Sequence, residues 1–475
     1  MNKKIIGVSI ATLFAATGAF AQSTGGSSVE LYGILDAAVG NVQDSLSASP
    51  LFPATVNPLT ATQSVATSGS PAITKPVTGL FNGGISPTRW GIRGSEDLGG
   101  GMKAIFNLDS YFNINSGSLS NAAGSLASNV KGSQTSVSAP SSVNGQLFND
   151  QAWVGLSGSD IGTIAFGRQV TVMGDILKDY DAVQDAQLFS PLGFSGQFAG
   201  GGATENKRLD NSVKYTNKFN GFNLGLIAKF GGIAGNSSAG SAYGAQFGYE
   251  ADGLGIQAAY ESATDTLHGA NSSTAGDVNV TNFNTVAYML AAKYAFGDAK
   301  ITGGYETFTL KKPTDTITSL GLTSYYGYAI GNVPAVTATA TCAVGNSADY
   351  CPADQTTDVL WLGGDYNFTP AFNLAVGFYD INPKASADFT KLSSTGGVNK
   401  VDTTPGVGGA KPTGGQSTQA SGNIYEYSLL ADYHFSKRTD AYAGVMYSQY
   451  KGDNYSSLLY NTSNTIFAIG LRTKF

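Results

Sequence analysis

Four aspartates, Asp175, Asp179, Asp181 and Asp185, fall in one stretch, Val170 to Lys207, with Lys178 alone among them. Basic side chains stand elsewhere: Arg89 and Arg93 share one parity of R-W-G-I-R-G, and Lys103 follows on the next segment. Acids on one side of a narrow aqueous gap and bases on the other would set up a transverse field. Such a field orders water, slows apolar solutes and lets small polar ones pass, and patches of charge select ions by the same physics. Runs of acids also occur as nothing more than the solvated face of a loop. The same stretch carries Ile176, Leu177, Phe189, Leu192 and Phe194, apolar residues that need cover.

Little else in the chain could do chemistry. His268 lies among Gly and Asn, His434 beside a tight turn, and neither has a Ser, Cys or Glu motif next to it. A catalytic base needs its partner within hydrogen-bond reach. The clusters Gly99–Gly101 and Gly200–Gly202 lack the context of a phosphate-binding loop. No enzyme activity, cofactor or metal is expected. Cys342 and Cys351 are closely spaced, are not C-x-x-C and have no His nearby, which in an exported chain predicts a local disulfide.

The elements that must hold these residues are strands. In T-I-F-A-I-G-L-R-T-K-F, Thr465–Phe475, the residues Phe467, Ile469, Leu471 and Phe475 fall on one parity and Ala468, Gly470, Arg472 and Lys474 on the other. Period-2 alternation marks a strand with two different faces, and the length suits a tilted strand crossing a bilayer. Phe475 suits a ring girdle at the membrane–water interface. Val29–Val39, Val286–Phe296 and Tyr425–Phe435 alternate in the same way. Arg168 shares its parity with Ile164 and Phe166, so it faces outward unless the strand bends there.

Tight turns are expected at Asp97–Gly101, Gly158–Gly162, Asn217–Gly221, Ala251–Gly253, Phe296–Asp298, Asn367–Ala371 and Ser436–Asp440. Longer connections are expected near 40–85, 113–148, 170–208, 231–243, 263–283, 310–356, 382–423 and 450–464. Seven short and eight long connections join sixteen strands. Segregating them in this way is the asymmetry of a closed transmembrane barrel. The expected fold is therefore all-β, a 16-stranded antiparallel transmembrane β-barrel in which 465–475 closes against 29–39.

Residues 1–21 read as a signal peptide: Lys3 and Lys4, the apolar run Ile5–Ala16, then Ala19-Phe20-Ala21. Residues 22–475 would form the barrel as a single domain. Only 13% of residues are charged, against about 25% in a soluble protein, and no apolar run is long enough for a spanning helix. Composition by itself also fits a secreted β-solenoid. The net charge of −6 argues against nucleic acid as a partner.

Several motifs carry a resemblance: V-E-L-Y-G-I-L-D-A at 29–37, R-W-G-I-R-G-S-E-D-L-G-G-G-M-K-A at 89–104, V-G-L-S-G-S-D-I-G-T-I-A-F-G-R-Q at 154–169, N-S-V-K-Y at 211–215 and S-K-R-T-D-A-Y-A-G at 436–444. They span the chain in order, and it resembles the trimeric general porins of Gram-negative bacteria, of the beta-proteobacterial type. The resemblance implies a homotrimer among outer-membrane lipid and lipopolysaccharide, with short periplasmic turns and long extracellular loops. It implies a third loop folded into the lumen, facing wall arginines. Arg89 matches the wall position, Arg208 and Lys214 match basic positions around N-S-V-K-Y, and Asp150-Gln151 stands where some members carry a base. The constriction would thus be Arg89, Arg93, Lys103, Arg208 and Lys214 against Asp175, Asp179, Asp181 and Asp185.

The function implied is passive diffusion of small hydrophilic solutes and ions across the outer membrane. A channel with a saturable solute site, a loop-based adhesin or receptor, and a barrel enzyme are the rivals. Bilayer conductance, saturable flux and substitution of the two histidines separate them.

Overall fold

A computed structural model describes residues 26–46, 74–119, 147–192, 208–231, 237–238, 240–264, 284–311, 324–325, 328–329, 355–384, 422–451 and 463–475. The signal peptide, His268, Cys342, Cys351, Phe194 and most of the long connections lie outside these residues. The strands are β1 (Ser28–Leu46), β2 (Thr74–Asn82), β3 (Arg89–Gly99), β4 (Met102–Tyr111), β5 (Gln151–Gly158), β6 (Gly162–Val170), β7 (Arg208–Phe219), β8 (Phe222–Lys229), β9 (Ala242–Ala251) and β10 (Leu254–Ala263). They continue with β11 (Asn284–Phe296), β12 (Ala299–Lys311), a separate ribbon of β13 (Ser324–Tyr325) and β14 (Tyr328–Ala329), then β15 (Gln355–Thr369), β16 (Phe372–Pro383), β17 (Asn423–His434), β18 (Thr439–Lys451) and β19 (Ser463–Lys474). A helix, α1 (Val172–Tyr180), follows β6.

Every neighbouring pair in the large sheet is antiparallel, and the sheet closes through β1 and β19, with Ile34 opposite Lys474 and Val42 opposite Ile466. Seventeen strands make this sheet, but β2 and β3 pair with successive lengths of the same edge of β1. They are two halves of one position, so the wall is sixteen strands around. Asp36 holds the break between them: it is fully buried and accepts from the backbone N–H of Gly84, Ile85 and Ser86 at 3.0, 3.1 and 2.8 Å. A carboxylate replaces the carbonyls that these amides would otherwise lack.

The first long connection is shorter than the expected 40–85, since β1 runs on to Leu46 and β2 starts at Thr74. Val39 opposite Leu80 is an exposed apolar pair, and beyond it come Gly40–Gly79 and Asn41–Thr78. Ladder hydrogen bonds are made by the backbone, so a strand continues without an apolar rhythm once it has no lipid to meet. The seven tight turns fall where expected; at the first, Gly99, Gly100 and Gly101 all take positive φ (80°, 60° and 81°), a region that side chains rarely adopt.

The wall is apolar outside and polar inside. In β19, Phe467, Ile469 and Leu471 are exposed while Ala468 is fully buried, and in β17, Tyr427 and Leu429 are exposed while Glu426 and Ser428 are buried. Rings pack side by side next to the turns: Phe222–Tyr249 at 5.0 Å, Tyr366–Phe368 at 4.9 Å and Tyr433–Phe435 at 5.3 Å. Phe475 pairs its backbone with Gly33 in both directions at 3.1 Å. A side chain at Gly33 would stand 2.4 Å from the Phe475 ring, so this glycine makes room for the ring. A sheet with this pattern meets hydrocarbon on its outer face and leaves no free edge in it.

Candidate pore constriction

The stretch after β6 crosses the inside of the barrel. Thr171 caps α1, its hydroxyl accepting from the Gly174 N–H at 3.1 Å, and Asp175 in the first turn suits the helix dipole. Helical spacing then sorts the residues. Val172, Met173, Ile176, Leu177 and Tyr180 are buried, while Asp175, Lys178 and Asp179 are exposed. The apolar face lies on inward-pointing wall residues such as Met289, Phe308, Val359 and Trp361. Phe189 continues the same cluster against Tyr442, ring to ring at 6.5 Å.

Polar anchors fix the register of this segment. The Met173 N–H donates to Glu261 at 3.0 Å, Tyr180 Oη to Glu250 at 2.7 Å, Trp361 Nε1 to the Tyr180 carbonyl at 2.8 Å, and the Leu188 N–H to the Gly84 carbonyl at 2.9 Å. The segment is therefore stitched to the wall from β10 around to the break between β2 and β3. Of the apolar residues named from sequence, Ile176, Leu177, Phe189 and Leu192 are all 1% exposed or less.

The four loop aspartates separate. Asp179 is the most open, its side chain 65% exposed. Asp175 pairs with Lys214, which also donates to the Val170 carbonyl at 2.8 Å, so this base is the loop's neighbour rather than a charge across the gap. Asp185 is half-buried. Asp181 is turned to the wall and fully buried, accepting from Tyr379 Oη and from the Asp185 N–H, both at 2.7 Å. Burial pushes the Asp181 carboxyl up to about 6, against the pull of the Tyr379 hydrogen bond. The helix ends at Tyr180, and Asp181 adopts extended φ and ψ of −73° and 142°, which takes its side chain off the exposed face.

The basic wall carries its own acids: Asp109, which no motif singled out, and Asp150, which stands where some members of the resembling family carry a base. Arg89 lies 3.5 Å from both Asp109 and Asp150, and Arg208 forms an ion pair with Asp150 and donates to Tyr111 Oη at 2.9 Å. Burial disfavours ionising Asp150, but Arg208 and Arg89 outweigh it and hold the carboxyl below its ordinary range. Arg93 sits farther toward the turn, paired with Glu30 at 2.8 Å and lying over the Tyr32 ring at 4.7 Å. Lys103 is exposed beside the turn, opposite Asp97. Arg89, Arg93 and Lys103 thus form a descending row, not one ring. The inward parity that Asp109 shares with Lys103 was the signal for that acid; Asp150 precedes its strand, so parity was silent, and only the resemblance, with Asp150-Gln151 where some members carry a base, pointed to it.

Arg168 does not face outward. Gly167 has φ of +135° and the β6–β7 register slips between Gly167 and Gln169, so the strand bulges and the parity changes. Arg168 is 6% exposed, donates to the Asn149 carbonyl at 2.9 Å and pairs with Asp210. Lys293 and Glu250 also belong to the lumen face: their 2.8 Å pair lies under α1, with Lys293 3.9 Å from Asp179 and over the Tyr180 ring at 4.4 Å.

Among the described residues, Asp432, His434 and Asp440 form a group that could hold a metal ion. It already holds a cation. Arg472 donates to Asp440 through Nε at 3.0 Å and Nη2 at 2.9 Å and lies 3.6 Å from Asp432. His434 is 3.8 Å from each carboxylate, too far for a hydrogen bond.

The chain is similar to an outer membrane porin protein of Bordetella pertussis, 31% identical over 153 residues, and to outer membrane porin protein 32 of Delftia acidovorans, 29% identical over 228 residues. These alignments cover 32% and 48% of this chain, and the chain spans only 33% and 49% of the relatives' lengths. In fold it is similar to an anion-selective porin from Comamonas acidovorans, with a TM-score of 0.58 at 20% identity over 94% of this chain and 100% of the other. It is also similar to the outer membrane protein OmpT of Vibrio cholerae in its trimer form, with a TM-score of 0.52 at 13% identity over 94% and 99%. The model of the Gram-negative porin family matches residues 7–453, and with this span of barrel, inner loop and charged wall the chain belongs to that family of outer-membrane β-barrels.

Proposed function

We propose that the chain forms a water-filled channel in the outer membrane through which small hydrophilic solutes and ions diffuse passively. The observation that carries this reading is the inverted wall together with the segment 171–192, whose apolar side is spent on the wall and whose charged side is left open. The open side offers Asp175, Asp179 and Asp185, and Arg89 stands as the most exposed of the clustered wall arginines. Charges placed around a narrow aqueous path bias which ion enters without binding any solute tightly. Arg93, Lys103, Arg208 and Lys214 tune the path from farther along it or from behind its surface. Asp181 acts as an anchor for the loop.

The chain works in this reading as a homotrimer, since its outer face is apolar and its relatives in fold include a trimer. Cys342 and Cys351 join as a disulfide within one outer loop. The test is reconstitution of the folded chain in a planar lipid bilayer. Stepwise conductance that rises linearly with solute concentration supports a diffusion channel. Flux that saturates at low solute concentration makes it a solute-specific channel instead, and insertion without conductance rejects both.

A further inference from the structure

We infer that Asp150 sets the ion selectivity of the channel by cancelling the charge of the wall arginines. The inference rests on the channel reading and goes beyond it. Asp150 is built in from all sides. Its side chain is 2% exposed, its N–H donates to the Asp109 carbonyl at 3.1 Å, and its carboxylate lies between Arg208 and Arg89. The preceding Asn149 clamps the end of β4 with its side chain, accepting from the Tyr111 N–H at 2.6 Å and donating to the Tyr111 carbonyl at 3.0 Å, while its own carbonyl receives Arg168. The Arg208 guanidinium rests over the Tyr111 ring at 5.0 Å. No part of this arrangement can swing away without breaking a buried contact.

The charges in the cluster sum to zero. Arg89 and Arg208 are offset by Asp109 and Asp150, and Arg168 beside them is offset by Asp210. Of Arg89, Arg208, Asp109 and Asp150, Arg89 is the one that water reaches most, its side chain 25% exposed. A passing ion meets Arg89, yet the field it feels includes both carboxylates behind it. Buried charges are screened far less by salt than exposed ones, so their cancellation persists across the range of salt where surface charges fade. Removing the charge of Asp150 leaves Arg208 uncompensated and the wall positive.

The experiment is the reversal potential of the reconstituted channel in a potassium chloride gradient at low salt. Asp150→Asn is expected to raise the chloride-over-potassium permeability ratio about two- to fivefold, as one uncancelled charge near the path should. The paired variant Asp150→Asn with Arg208→Gln removes one charge of each sign and is expected to return the ratio to that of the unmodified protein. Asp109→Asn frees Arg89 instead and is expected to shift the ratio in the same direction, which covers the case in which Asp150→Asn fails to fold. Substituted channels that conduct with an unchanged reversal potential overturn the inference and leave the channel reading standing. An unmodified chain that inserts and does not conduct overturns the channel reading itself.

Discussion

Asp181 makes the seating of the inner loop depend on pH, and the structure gives both sign and size. The carboxyl is fully buried and its pKa is raised from 3.8 to about 6, with burial the largest cause. A raised carboxyl favours the docked state when protonated. The stabilisation is complete below the undocked value of 3.8 and is lost as pH rises through about 6. The whole shift corresponds to roughly 3 kcal/mol, of which about 1.4 kcal/mol, a factor of about ten, falls between pH 5 and pH 7. The apolar anchors Met173, Ile176, Leu177, Phe189 and Leu192 contribute more than this, at about 1.5–3 kcal/mol each. The loop therefore stays docked at neutral pH and opens more often. Hydrogen exchange of the amides of 174–192, corrected for intrinsic rates, should show about tenfold less protection at pH 7 than at pH 5. Asp181→Asn should abolish the difference, at a cost of about 1 kcal/mol for the lost bond to the Asp185 N–H. Protection that rises with pH, or an equal fall in the Asn variant, would refute the reasoning.

Arg89→Ala should move the reversal potential toward cations and Asp179→Asn toward anions, while Asp181→Asn should move it far less because that side chain never reaches the path. If Asp181→Asn shifts it as much as Asp179→Asn, the loop is not oriented as described. A side chain at Gly444 would stand 2.6 Å from the Phe189 ring, so Gly444→Ala should cost about 1–3 kcal/mol of loop docking and change single-channel noise, with the thermal unfolding of the barrel unchanged from that of the unmodified protein. Cys342 and Cys351 should run as one disulfide by mass spectrometry after mild isolation, and reducing it should leave barrel stability nearly unchanged, because the ring it closes is short. Two free thiols would reject the pairing.

The barrel was legible in the sequence because a strand crossing a bilayer has no choice of pattern. Lipid selects one parity of Phe467, Ile469 and Leu471 or of Tyr427 and Leu429, and glycine-rich turns such as Gly99–Gly101 close the short ends, so strand number and closure could be counted from residues alone. The docked loop was legible for a similar reason, since Ile176, Leu177, Phe189 and Leu192 could not stay in water. Which parity faced inward was settled only by the closed sheet. The extra length of β1 and the strand β2 were hidden because backbone pairing beyond the lipid needs no side-chain rhythm. Charge partners were hidden more deeply. Asp179 and Asp181 look alike in sequence, yet the end of α1 between them leaves one open and buries the other. A single bulge at Gly167 reverses the parity that pointed Arg168 outward. Asp150 reaches Arg208 across 58 residues of chain. Alternation is a local property that each strand carries for itself, whereas the sign of the field at a point in the lumen sums charges from distant strands, and only the folded wall brings them together.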